Sequence, residues 1–150
     1  MKNTKIDVYN SLIKEIQFKI SNLESDINSV IASRDNETKS SFGDKHETSR
    51  SRIEMELQLY RKQLSIFNHY FQFVKGININ KIYKKAEMGA LIYTNSKTFF
   101  ISVSFGKFLV NKQNIYAISL KSPVGKLLKG KVVGSNFTFN NNVFKIIEIL

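Results

Sequence analysis

Large apolar residues recur at Ile6, Tyr9, Ile13, Ile16, Ile20, Leu23, Ile27 and Val30, with spacings of 3-4-3-4-3-4-3. A stripe held for more than three heptads fits a helix packed along one narrow seam and cannot be reconciled with a strand, whose side chains alternate with period two. A second seam follows at Ile53, Leu57, Tyr60, Leu64, Phe67, Phe71 and Val74, spaced 4-3-4-3-4-3. Polar residues such as Lys14, Glu15, Glu54 and Arg61 fill the other faces. Between Val30 and Ile53 the seam lapses into small and charged residues. Two such helices joined by a short polar connection fold most simply into an antiparallel hairpin. At ~1.5 Å per residue, about 28 residues make a rod on the order of 40 Å long. A parallel dimer formed through one seam is the alternative that the pattern leaves open.

After Gly76 the period changes. "GALIYT" and "KTFFISVS" are β-branched and aromatic and are separated by the turn-forming Asn95-Ser96. "NIYAISL" reads as a further strand, and "NFTFN" and "VFKIIEI" flank an asparagine run suited to a hairpin turn. One short helix interrupts the strands: in "SPVGKLLKG", Ser122 is placed to cap, Pro123 to occupy the first helical position and Gly130 to terminate. The expected fold class is α+β. Residues 1–76 form an antiparallel coiled-coil hairpin, and residues 77–150 form a small, mostly antiparallel β domain with one short helix. The boundary falls near residues 75–80, in "KGININ". A long hairpin attached to a compact domain suggests a lever whose body docks while its tip is delivered elsewhere.

Charge separates the halves as well. Residues 76–150 carry 11 lysines, no arginine and 2 carboxylates, a net +9, whereas residues 1–75 carry +2. Such a field favours an acidic partner, nucleic acid or protein, although a lysine-rich surface also serves solubility alone. With no cysteine in the chain, disulfides and thiolate metal sites are excluded. No apolar run approaches the ~20 residues of a membrane span. The opening "MKNTKIDVYN" lacks the apolar stretch of a signal peptide, so a cytoplasmic protein with no membrane partner is expected.

The interruption between the seams, "SSFGDKHETSRS", places Asp44 and Glu47 three residues apart after Gly43. As N-cap and N3 residues they make a variant of the capping box and favour the positive end of the helix dipole, which accounts for the spacing without any function. The same geometry projects two hard oxygen ligands from the first turn of a helix. Two carboxylates are too few to hold Mg²⁺ alone, but they can complete a site that a partner has half built. In a two-metal phosphodiester reaction, an ion so held activates the attacking water. Asp35 and Glu37 add negative potential, so the acidic tip spans roughly residues 35–47. His46 suits a proton relay or a solvated loop residue, and His69, near Phe67 and Phe71, reads as packed or surface. The sequence has no Walker-type loop, dinucleotide fingerprint or HExxH motif, so an unaided active site is not expected.

Two segments give the chain a family likeness. Gly43-Asp44-x-x-Glu47 resembles the Gly-Asp-x-x-Glu-Asn tip of the bacterial Gre-type transcript cleavage factors. "ISLKSPVGKLLKGKVVG" is similar to that family's Ile-Ser-x-x-Ser-Pro-x-x-x-x-Leu-x-Gly segment. Order, spacing and layout agree over nearly the whole chain. The resemblance implies an FKBP-like second domain that grips the rim of the RNA polymerase secondary channel, with Ser122, Pro123 and Gly125 near the contact. It further implies a hairpin that enters the channel. There Asp44 and Glu47 would help the polymerase hold its second Mg²⁺ for hydrolysis of backtracked RNA, acting on the nascent 3′ end indirectly. On this reading the protein is an accessory factor and not itself an enzyme, a monomer with no cofactor of its own, sharing Mg²⁺ with the polymerase. The sequence departs from the family where Thr48-Ser49-Arg50 replaces Asn and a nearby Tyr, and "RDNETKSSF" makes the connection before Gly43 look longer. A relative that occupies the same channel and regulates without cleaving is therefore the rival reading. A DNA- or RNA-binding module using the basic domain, and a prolyl isomerase, rank lower.

Overall fold

The computed structural model describes the backbone of residues 2–39 and 44–150 and the side chains of residues 2–36 and 48–150. The fold is α+β: two long helices, then six strands with one short helix between the fourth and fifth. Helices α1 (Lys5–Lys39) and α2 (Asp44–Lys75) are followed by β1 (Leu91–Thr94), β2 (Thr98–Ile101), β3 (Gly106–Val110) and β4 (Gln113–Ile118). Helix α3 (Pro123–Leu128) precedes β5 (Asn136–Phe139) and β6 (Asn142–Ile149). No helix among the described residues is long and apolar enough to cross a membrane. The chain divides into two compact units, Met1–Glu15 with Gln72–Leu150, and Ile16–Phe71.

In the helical unit the two seams carry the packing. Ile16, Leu23 and Leu57 are buried, and Ile20, Ile27, Val30, Ile53, Tyr60, Leu64, Phe67 and Phe71 are half-buried. The direction of pairing follows from two couples. Arg34 Nη1 donates to Glu54 Oε1 at 3.1 Å. The Asp26 carboxylate contributes to the raised pKa of Tyr60, behind the larger influence of Glu56. Rising numbers on α1 thus meet falling numbers on α2, which makes the pair antiparallel. Helix α1 continues through Arg34-Asp35-Asn36 to Lys39, so only residues 40–43 separate the helices. This corrects the longer connection expected from "RDNETKSSF". A helix needs apolar residues where it packs, not where its polar side chains are solvated, and the Arg34–Glu54 pair ties the region to its neighbour.

The other unit is built on a sheet of order β3-β4-β2-β1-β6-β5. All neighbours are antiparallel except β2 and β4, whose register runs from Thr98 opposite Ile115 to Ile101 opposite Ile118. Both hairpin turns that end in asparagine or lysine use the left-handed region: Asn111 and Lys112 between β3 and β4, Asn140 and Asn141 between β5 and β6. Positive φ at two successive positions is the geometry of a type I′ turn, whose twist matches that of the strands a two-residue hairpin joins. One core joins Ile92, Phe99, Ile101, Phe137, Phe144 and Ile146 to Leu128 of α3. Phe99 and Phe144 meet edge to face with centroids 5.9 Å apart, and Phe137 stacks on Phe144 at 5.0 Å. The alternate residues Leu91, Tyr93, Phe100, Ile115 and Ala117 are buried too.

The first turns of α1 belong to this unit, and their buried line differs from the seam. Val8 and Leu12 are fully buried four residues apart, while Ile6 is exposed. Asn3 anchors the approach to the helix. Its amide nitrogen donates to the Val110 carbonyl at 3.1 Å and to Gln113 Oε1 at 3.0 Å, and its side-chain oxygen accepts from Asn111 at 2.8 Å. Its backbone carbonyl accepts from the Tyr93 hydroxyl. A buried amide so fully satisfied fixes position as well as stabilising, because any shift leaves a polar group unpaired.

Candidate functional site

The segment Ser119–Gly130 folds as a tight corner around α3. The Ser122 hydroxyl donates to the Ser119 carbonyl at 2.7 Å and accepts from the Gly125 backbone N–H at 3.1 Å. Ser122 is thus the N-cap, Pro123 fills the first turn where its missing N–H costs nothing, and Gly130 sits at φ +79° just past the end. Gly125 is buried, and a Cβ there would lie 2.0 Å from the Ser119 carbonyl oxygen and 2.8 Å from Leu120 Cα. The motif residues therefore meet in one place, but two of the three are occupied with the corner itself: Ser122 by its hydrogen bonds and Gly125 by close packing. Pro123 alone is exposed.

Around this corner the surface is basic with apolar points. Lys121, Lys126 and Lys129 are exposed, as are Leu127, Val132 and Val133. Among the described residues no carboxylate forms an ion pair with these lysines. Exposed apolar side chains set among unpaired cations suit a partner surface that is acidic at its rim.

At the other candidate site, Asp44 opens α2 and Glu47 lies on its first turn. The side chains of Asp44, His46 and Glu47, and that of Glu37, lie outside the described residues. Asp35 is described and lies 3.7 Å from Arg34. His69 is exposed on α2.

Lys5 was not singled out by its sequence context. It is only 8% exposed. Its ammonium donates to the Lys81 carbonyl at 3.1 Å and lies 4.1 Å from the Tyr83 ring centroid. Burial, and then the charge of Lys81, pull its pKa from 10.5 to about 8. Between those values the unfolded chain holds a proton that the folded chain has released, so stability rises with pH across that window. Below about pH 8 the group is charged in both states and the full cost of burying it is felt. Denaturant midpoints for the wild type are expected to increase from about pH 8 towards 10.5. Lys5→Met should flatten that rise, and an unchanged slope in the variant would remove Lys5 as its source.

The described residues define an α+β protein that joins an antiparallel pair of long helices to a six-stranded sheet with one capped helix. No protein-family model matches the chain. No curated protein matches it either. Among solved structures, the chain aligns with GreA factor homolog 1 (Gfh1) of Thermus thermophilus at 13% identity and a TM-score of 0.36, over 92% of this chain and 94% of that one. An overlap so loose transfers no role to any residue.

Proposed function

We propose that this protein is a transcription elongation factor that binds RNA polymerase at its secondary channel. There it stimulates cleavage of backtracked RNA by lending Asp44 and Glu47 to the polymerase's second Mg²⁺. One observation carries the reading: the two helices pair antiparallel, and the motif Gly43-Asp44-x-x-Glu47 falls where α2 begins, four residues after α1 ends. A carboxylate pair at the turn of a helical hairpin is what delivery of ligands into a narrow channel requires. Support also comes from the second motif, "ISLKSPVGKLLKG", which shapes the capped corner and its lysine-rich surroundings. The metal would be held by the polymerase and this pair together, and the ion would polarise the scissile phosphate and lower the pKa of the attacking water. The protein's own part is to place two oxygens.

A second reading, regulation from the same channel without cleavage, is favoured by Thr48-Ser49-Arg50 standing where the resembled family has Asn and a nearby Tyr. Stalled complexes of the cognate polymerase, backtracked and labelled at the RNA 5′ end, discriminate the two. Shortened RNA that can be re-extended, appearing faster with the protein than without it, supports cleavage. Altered initiation or pausing with RNA left intact supports the second reading, and no association with polymerase at all rejects both.

A further inference from the structure

The sheet-bearing unit has an open groove of about 790 Å³ at the end of the sheet where β2 and β4 begin. Lys2 and Lys97 line it together with Tyr93, Tyr116, Thr98 and Asn114. Each lysine is held against a ring: Lys2 Nζ lies 4.8 Å from the Tyr93 centroid and Lys97 Nζ 4.9 Å from that of Tyr116. Such contacts hold a flexible ammonium near one position. Lys2 also pairs with Glu148, whereas Lys97 has no carboxylate partner among the described residues. The lining contains no carboxylate and no aliphatic side chain.

That composition narrows the occupant. A protein partner binds through aliphatic or aromatic anchors seated in a desolvated centre, and an acidic peptide would find no apolar pocket here. A phosphodiester chain asks for something else: fixed cations and hydroxyl or amide donors for its acceptor-only oxygens, with polar edges and rings beside the bases. The groove has the volume for a nucleotide-sized group and is open enough for a chain to run through it. Base edges can meet Asn114 and Tyr116 only when they are unpaired, as in a single strand. We infer that this groove binds single-stranded nucleic acid through Lys97 and Lys2, with Asn114 and Thr98 as hydrogen-bonding partners.

The groove shares no residue with the sites named above, and its test needs no polymerase, so its failure leaves the proposed function standing. The full chain is titrated into a short fluorescein-labelled single-stranded RNA and anisotropy is followed at several salt concentrations. Lys97→Ala is expected to weaken binding about fivefold near physiological salt and to lower the salt slope by about 0.7, as for loss of one phosphate contact on a single strand. Asn114→Ala should weaken binding with the salt slope unchanged. Lys84→Ala, which removes an exposed lysine outside the groove, should change affinity less than about twofold. Equal losses in Lys97→Ala and Lys84→Ala would assign binding to the diffuse lysine field and overturn the inference. So would the absence of saturable binding, or competition by polyglutamate or duplex RNA as effective as by unlabelled single strand.

Discussion

Replacing Asp44 and Glu47 together should abolish stimulated RNA cleavage while leaving polymerase association intact. The choice of substitution separates the two roles that the pair can play. Asn caps a helix about as well as Asp, and Gln closes a capping box as Glu does. Asp44→Asn with Glu47→Gln therefore preserves the start of α2 and removes only the two charges that a metal ion requires. If the carboxylates lend themselves to Mg²⁺, this variant loses cleavage by about a hundredfold or more, since displacement near 1 Å already costs a catalytic arrangement that much. Raising Mg²⁺ should restore part of the rate, because the polymerase retains its own share of the ligands. If the pair only caps the helix, the same variant behaves as wild type, whereas Asp44→Ala with Glu47→Ala weakens helical content. Cleavage rate and circular dichroism, measured on both double variants, read the two roles independently.

The second large effect is expected at Gly125. An alanine Cβ would stand 2.0 Å from the Ser119 carbonyl oxygen and 2.9 Å from Ser119 C, and both are backbone atoms. No rotamer change relieves such a contact, so α3 must move away from Ser119–Leu120. Moving it loosens Leu128, which is fully buried in the core, and breaks the Ser122 bonds to Ser119 and Gly125. Overpacking of this kind costs about 3 kcal/mol, which for a chain of this size lowers the Tm by about 6–12 °C. Ser122→Ala, which removes only the cap, should cost about 1 kcal/mol. Thermal unfolding of the two variants tests that order. A Gly125→Ala protein as stable as wild type would mean that the corner yields without cost. Because the glycine serves the fold, any loss of polymerase binding in Gly125→Ala must be compared with Pro123→Ala, which changes an exposed residue instead.

Much of this fold was legible in the sequence because its elements announce themselves locally. The second seam, from Ile53 to Val74, matches the buried and half-buried positions of α2, since a helix with one packed face must repeat its apolar residues every 3.5 positions or so. Ser122, Pro123 and Gly130 fell where capping chemistry puts them, because each satisfies a backbone requirement of its own neighbours. The asparagine run before β6 supplied the two left-handed residues of its hairpin. Strand β3 had no such signal. Phe108 and Val110 turn inward, but Leu109 is 60% exposed, so alternation of polar and apolar residues is absent from an edge strand held by its pairing to β4.

The candidate sites divide along the same line. Asp44 and Glu47 were found through a short motif, as were Ser122, Pro123 and Gly125. The reason for Gly125 was not: the clash of a Cβ with Ser119 depends on how closely α3 approaches the preceding turn. Lys5 and Lys97 carried no mark at all, being two lysines among many, until folding set each beside a tyrosine ring.

By itself the sequence determined the two long helices, the strands other than β3 and the capped corner, since each rests on periodicity or on hydrogen bonds between near neighbours. Antiparallel pairing was the simplest arrangement of the two seams, and the folded chain decided it against a parallel dimer. Tertiary structure alone decided that the first turns of α1 bury Val8 and Leu12 in place of Ile6, and that Asn3 ties the chain's start to Val110, Gln113 and Asn111. Those contacts join residues more than a hundred positions apart. Which face of a helix is buried there depends on what the rest of the chain brings against it, and no local pattern records that.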